Sequence, residues 1–231
     1  MIASRVAAVR ERIARAAARA RRPEAEVTLV AVSKTQPPEA IREAFAAGVR
    51  HFGENKVQEA ETKIAALEDL RADGLVWHMV GHLQGNKARR AAEIFDAVDS
   101  VDDPALGGRL ERAAREANRS LPVLVQVGLG GEETKFGLGE ERLLPALEEA
   151  RGYAALRVEG LMVLPPFAED PEAARPFFRR LRALRDQARG RGLLAGGELS
   201  MGMSHDFEVA VEEGATQVRV GTAIFGERTR T

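Results

Sequence analysis

The chain has 231 residues, 45% of them hydrophobic and 30% charged, which is enough apolar material for a sizeable core. Its 34 Lys and Arg against 35 Asp and Glu leave a formal charge of −1, so there is no whole-molecule field for nucleic acid or an anionic membrane. The absence of cysteine excludes disulfides, thiolate metal sites and cysteine nucleophiles. The longest apolar stretches, 27–32 and 121–129, are far too short to cross a bilayer.

Residues 1–22 are rich in Ala and Arg and loosely imitate an organellar transit peptide, but Glu11 interrupts the basic run. Ile2, Val6, Val9 and Ile13 recur at helical spacing, so the segment reads as an amphipathic N-terminal helix packed on the body of a cytoplasmic protein. Beyond it one rhythm repeats: a short β-rich run, a loop, then an amphipathic helix. Strands are expected at 27–32, 49–52, 76–80, 95–98, 123–127, 158–164, 197–200 and 217–220. A helix near Pro38 presents Ile41, Ala44 and Phe45 and stops at Gly48. Asn55 and Gln58 have capping-box spacing ahead of Val57, Ala60, Ile64 and Leu67. Asp103-Pro104 opens a helix through Leu106, Leu110 and Ala113. Another begins at Pro171 or Pro176 and carries Phe177, Leu181, Leu184 and Ala188. The last runs from Ser204 through Phe207, Ala210 and Val211 to Gly214.

Strict alternation of strand and helix argues for a parallel sheet. Eight units of about 29 residues suit a single α/β domain over 1–231, a (β/α)8 barrel with an extra N-terminal helix. An open doubly wound sheet is the alternative.

A barrel places function at the C-terminal ends of its strands, and the unusual residues fall there. Ser33-Lys34-Thr35 follows the first strand, Gly53-Glu54-Asn55 the second and Gly81-His82-Leu83-Gln84 the third. Pro165-Pro166 follows the sixth, Ser200-Met201-Gly202-Met203-Ser204 the seventh and Gly221-Thr222 the eighth. Lysine is rare, at positions 34, 56, 63, 87 and 135 against 29 arginines. An amine at a buried strand end can lose its proton and attack a carbonyl, which Arg cannot do. A Lys snorkelling from the mouth to water is the equal alternative.

Ser200, Gly202, Ser204, Gly221 and Thr222 supply hydroxyls and unobstructed N–H groups in the last two loops, where such barrels commonly bind phosphate. In this reading Ser204 heads the last helix and its first-turn amides face the site. Ordinary turn and cap usage explains Ser204 but not both loops together. An amine and a phosphate cradle at one mouth suggest either pyridoxal phosphate (PLP) or a sugar phosphate. Arg219 either hydrogen-bonds a pyridine nitrogen, leaving the cofactor a poor electron sink, or forms an ion pair inside the barrel.

Several other patterns carry no site. Ser204-His205-Asp206 has triad letters, but triad members meet in space from distant positions. His78 and His82 straddle a strand end without a carboxylate or Cys cluster, so no metal site is expected. Gly128-Leu129-Gly130-Gly131 has the wrong spacing for a dinucleotide loop. Arg19, Arg21 and Arg22 read as a solvated helix end, and His51 as a hydrogen-bonded strand residue.

The runs Val30-Ala-Val-Ser-Lys34, His51-Phe-Gly-Glu-Asn55, Gly81-His-Leu-Gln84 with Asn86-Lys87, Leu199-Ser-Met-Gly-Met-Ser204 and Arg219-Val-Gly-Thr-Ala-Ile-Phe-Gly226 together resemble the pyridoxal phosphate homeostasis proteins. The family's fold is similar to the N-terminal barrel of alanine racemase. The resemblance spans roughly residues 27 to 228. It implies PLP held as a Schiff base on Lys34, with Ser200, Gly221 and Thr222 at the phosphate and Arg219 near the pyridine nitrogen. Asn55 and His82 would lie around the cofactor, with Met201 and Gly202 along its edge. Two stretches depart from the family pattern: Gly128 to Gly137, and Met162-Val-Leu-Pro-Pro166, where Val163 and Leu164 replace the more usual Thr and Ile.

The expectation is therefore a non-catalytic carrier in intracellular PLP homeostasis, able to deliver to apo PLP-dependent enzymes. The balanced charge and lack of a sustained heptad favour a monomer. An amino-acid racemase is the alternative, and residual activity of that kind stays open. Two-base racemisation needs an acid/base on each face of the cofactor. The racemase relatives take one, a Tyr, from a separate C-terminal domain that these residues do not contain. Tyr153, the single Tyr, precedes the sixth strand at the opposite end of the barrel. A Schiff-base sugar-phosphate aldolase is a third reading, but it leaves Arg219 and the five blocks unexplained.

Overall fold

All eight expected strands form in the computed structural model, which describes residues 1–130 and 136–227. They are β1 (Thr28–Val32), β2 (His51–Glu54), β3 (Val76–Met79), β4 (Ala97–Val101), β5 (Leu121–Gly128), β7 (Leu156–Val163), β8 (Glu198–Met203) and β9 (Gln217–Val220). Every pairing is parallel, in the order β4-β3-β2-β1-β9-β8-β7-β5, and β4 pairs with β5 to close the barrel. A two-residue strand, β6 (Leu138–Gly139), extends the end of β5.

Around the barrel lie α1 (Ile2–Arg19), α2 (Pro38–Ala46), α3 (Val57–Ala66), α4 (Ala88–Ile94), α5 (Pro104–Glu116), α6 (Glu140–Ala150), α7 (Arg175–Gly190), α8 (Phe207–Glu212) and α9 (Thr222–Phe225). The main apolar cluster lies between helices and strands. Ile41, Phe52, Trp77, Leu110, Phe178 and Phe207 are among its fully buried members. α1 packs on this shell through Val6, Val9, Ile13, Ala16 and Ala17, while Arg12 and Arg19 pair with Glu208 and Glu212 of α8. Among the described residues no helix is long and apolar enough to cross a membrane.

Helix ends differ from expectation in three places. Asn55 and Gln58 form no capping box, because Lys56 is the N-cap residue of α3 and both side chains line a cavity at the mouth. α7 starts at Arg175 after a 3₁₀ turn, Pro171–Ala174, so Phe178 takes the buried stripe in place of Phe177. Asp206, not Ser204, precedes α8, and its carboxylate accepts the Met203 N–H at 2.6 Å. Several strands also run further than expected, β2 through Gly53 and Glu54 among them. β4 continues through Asp99 and Ser100, and β8 past Ser200 through Met201 and Gly202 to Met203. These extensions carry residues whose polarity or lack of a side chain conceals a strand.

Gly202 has φ +94°, and a Cβ there would lie 2.6 Å from the Ala210 Cβ and 2.8 Å from the Phe207 Cα. The β8 end therefore seats directly on α8. Gly202→Ala is expected to destabilise the protein by about 2–4 kcal/mol through backbone strain plus overpacking, read from urea denaturation.

Candidate functional site

A cavity of about 1000 Å³ opens at the C-terminal mouth of the barrel. Lys34, Asn55, His82, Arg219, Gly221 and Thr222 all line it, and so does Ser204. The other three residues singled out from the sequence do not. Ser200 is fully buried in the barrel interior, level with Gln217. Met201 belongs to the apolar shell outside the barrel, and Gly202 faces α8. Of the stretch 128–137, residues 131–135, including Lys135, lie outside the described residues.

Lys34 sits half-buried in the turn after β1. Strand alternation points Val30, Val32 and Lys34 inward and Ser33 outward. Ser33 is held at three atoms. Its N–H donates to Gly53 O at 3.0 Å, its hydroxyl donates to Glu54 Oε1 at 2.6 Å, and its carbonyl accepts from Lys63 Nζ at 2.7 Å. On the other side, the Thr35 N–H donates to Glu59 Oε1 at 2.5 Å. Lys63 also donates to Glu54 Oε1 at 2.8 Å and to Glu59 Oε1 at 2.7 Å, so all three ammonium protons are used. Thr35 is left-handed, with φ 64°, which costs a β-branched residue on the order of 1–3 kcal/mol. Burial pushes the Glu54 carboxyl up despite Lys63 and Ser33, and its Oε2 has no hydrogen-bond partner among the described residues.

Arg219 approaches the cavity from β9. Its Nη1 donates to Ser200 Oγ at 2.6 Å and its Nη2 to Val163 O at 2.9 Å. Gln217 Nε2 donates to Ser200 Oγ at 3.0 Å and to Asp99 Oδ2. Asp99 in turn lies 3.1 Å from His78 Nδ1, and His78 Nε2 lies 2.9 Å from His51 Nδ1. A continuous polar chain thus descends through the barrel from Arg219 to His51. Burial lowers the Arg219 pKa to about 10, which keeps the guanidinium charged at neutral pH.

Ser204 Oγ accepts the Gly221 and Ala223 N–H groups at 3.2 and 3.3 Å, joining the β8 and β9 loops. Gly81 packs on Asn55, since a Cβ would meet the Asn55 Cα and O at 2.7 Å. His82 Nδ1 is 2.8 Å from Asp102 Oδ2, and the His82 ring stacks on Phe136 at 4.0 Å between centroids. Leu164 and Phe167, 36% and 81% exposed, form an apolar lip on the far side. Tyr153 packs near Gly107 and Gly108 and does not line the cavity. Among the described residues no cluster of His, Cys, Asp and Glu is placed to hold a metal.

The residues that sequence reasoning missed are those that hold the lining residues. Lys63 lies three positions after Ala60, on the inward face of α3, and a lysine on a buried stripe was the available signal. Gln217 and Arg219 share one side of β9 by period-2 spacing, which marked a polar interior.

A closed parallel barrel with an amine and a guanidinium at its mouth defines a class. The sequence model of the family described as alanine racemase, N-terminal domain, matches residues 5–229. A pyridoxal phosphate homeostasis protein of Aquifex aeolicus is 46% identical over 224 residues, covering 97% of each chain. Another, from Pseudomonas aeruginosa, is 46% identical over 228 residues, covering 98% of this chain and 96% of its own. PipY of Synechococcus elongatus, solved with PLP bound, superposes with a TM-score of 0.86 at 42% identity, covering 98% of this chain and 100% of PipY. The chain belongs to the alanine racemase N-terminal domain family and, within it, to the pyridoxal phosphate homeostasis proteins.

The interior chain makes stability depend on pH. Burial, and then the neighbouring His78, lowers the His51 pKa to about 4. An unfolded His binds a proton near pH 6.5, so the unfolded state gains protons first and stability falls as pH drops from about 6.5 to 4. Burial opposes charge on His78, but Asp99 outweighs it and the pKa is raised. That contribution is present below pH 6.5 and fades as pH rises through the folded value. His51→Asn is expected to lose about 1–2 kcal/mol less stability than the parent between pH 7 and pH 5, measured by urea denaturation.

Proposed function

We propose that this chain is a non-catalytic PLP-binding protein acting in intracellular PLP homeostasis, with Lys34 as the covalent anchor. The observation that carries the reading is the shared cavity, which brings Lys34 and Arg219 together with the joined Ser204 and Gly221-Thr222 loops. The donor set fits the cofactor. A primary amine matches the aldehyde, hydroxyls and backbone N–H groups match the phosphate, and a charged guanidinium matches an unprotonated ring nitrogen. When bound, the cofactor supplies an aldehyde that a lysine amine captures reversibly with loss of water.

In this reading Gly221, Thr222 and Ser204 hold the phosphate, and Asn55 and His82 form the walls. Ser200 acts through Arg219, while Met201 and Gly202 fix the end of β8. The whole of 1–231 then forms one binding domain, with 1–22 as its helical flank. The balanced charge supports a cytoplasmic monomer that engages neither nucleic acid nor membrane and passes PLP to apo PLP-dependent enzymes.

Protein mixed with PLP should show a visible band that borohydride removes, with the reduced adduct mapped to Lys34. Lys34→Ala should lose the band. A band that survives in that variant, or adducts scattered over surface lysines, would overturn the anchor.

A further inference from the structure

We infer that Lys63, Glu59 and Glu54 are positioning residues for Lys34, forming a bracket that fixes the backbone on both sides of the anchor before PLP arrives. The inference rests on the reading of Lys34 as the anchor and goes beyond it, because none of the three lines the cavity.

Stability alone is a poor explanation for the bracket. Lys63 is 6% exposed and Glu54 is fully buried. Desolvating such a pair costs about as much as the attraction returns, and a well-packed apolar pair commonly serves a fold as well or better. One Glu54 oxygen is buried without a hydrogen-bond partner among the described residues, a further cost. What the cluster does achieve is geometric. Ser33 is held at its N–H, carbonyl and hydroxyl, and Thr35 at its N–H in a left-handed conformation that Thr does not favour. Lys34 alone lies between these fixed points. All three Lys63 protons are committed, so this second lysine serves as a strut and not as a second amine.

Capture joins the Lys34 nitrogen to the aldehyde carbon, and one water leaves. A lysine on a loose turn would also have to surrender backbone freedom on capture, whereas a bracketed one has already done so. The bracket should therefore favour ligands bearing the aldehyde over ligands of the same shape without it.

Glu59 is 27% exposed, so Glu59→Ala can remove the Thr35 acceptor without opening the core. Glu59→Ala should weaken PLP roughly tenfold, the effect of re-ordering about one backbone residue. Binding of pyridoxine 5'-phosphate, which has an alcohol in place of the aldehyde, should stay within about twofold. Glu59→Gln retains an acceptor and should bind PLP close to the parent, and the urea midpoint should show Glu59→Ala still folded. Glu59→Met deletes the same acceptor while keeping the length and helix propensity of the side chain, and it decides the matter if Glu59→Ala folds poorly. Equal weakening of both ligands would mean general damage to the cavity and would overturn the inference. So would parent-like PLP affinity in both Glu59→Ala and Glu59→Met. If Lys34→Ala itself keeps the reducible band, the anchor reading fails first. The bracket fails alone when Lys34→Ala loses the band and Glu59→Ala does not differ from the parent.

Discussion

A guanidinium buried at the top of a parallel barrel constrains everything beneath it. Barrel interiors are commonly filled by layers of branched apolar side chains, and Val30, Leu124 and Met162 supply part of such a filling here. Arg219 cannot rest on that filling alone, because each N–H taken out of water needs an acceptor. Ser200 and the Val163 carbonyl accept from it, Gln217 reaches past Ser200 to Asp99, and Asp99 is shared with His78. The polar column follows from placing one permanent cation at the cavity floor. Asp99 also supplies negative charge that partly offsets the burial of Arg219.

Lys34 and Arg219 are supported from opposite sides of the barrel wall. Arg219 is held from inside, by residues facing the axis. Lys34 is held from outside, through Ser33 and Thr35, by a strand-end carboxylate and two residues of α3. Yet they belong to adjacent strands, Lys34 in the turn that follows β1 and Arg219 on β9 opposite Val30 of β1. A shift of either strand by one residue would turn one of these side chains out of the cavity while leaving the other in place. Closure of the sheet through β4 and β5 excludes such slips, and this is how barrel geometry becomes binding geometry.

The architecture was legible because helix and strand periods alternate eight times, and the mouth was legible because its residues are chemically odd for a strand end. Lys34 stands out in a chain with 29 arginines, and Gly221-Thr222 follows a clear β run. Reading failed where chemistry and pattern conflict. Met201 and Gly202 resemble a loop beyond the expected strand end, but they are strand, and of this stretch Met203, Ser204 and His205 beyond them reach the cavity. Asp99 and Ser100 hid the second half of β4 for the same reason. Asn55 and Gln58 match a capping box by spacing alone, which cannot reveal that both side chains face the cavity. The Lys63 bracket could not be read as a unit, since Ser33, Glu54 and Lys63 meet only after three elements pack.

Holding PLP and operating on it make different demands on these residues. Reversible capture needs one amine, a seat for the phosphate and a ring partner. Proton transfer at carbon needs in addition an electron-withdrawing ring and acid/base groups aimed at both faces. In the proposed reading Arg219, charged at neutral pH, would donate a hydrogen bond to the ring nitrogen without protonating it, and such a ring would withdraw electrons weakly. Tyr153 packs away from the cavity, and the His82 ring at its wall is held by Asp102 and stacked on Phe136. The polar contacts of this structure concentrate on the two proposed anchors, with a hydrogen-bonded column under Arg219 and a bracket around Lys34. Leu164 and Phe167 add an exposed apolar lip to the cavity. That combination suits a site whose task is to retain an aldehyde and let it go.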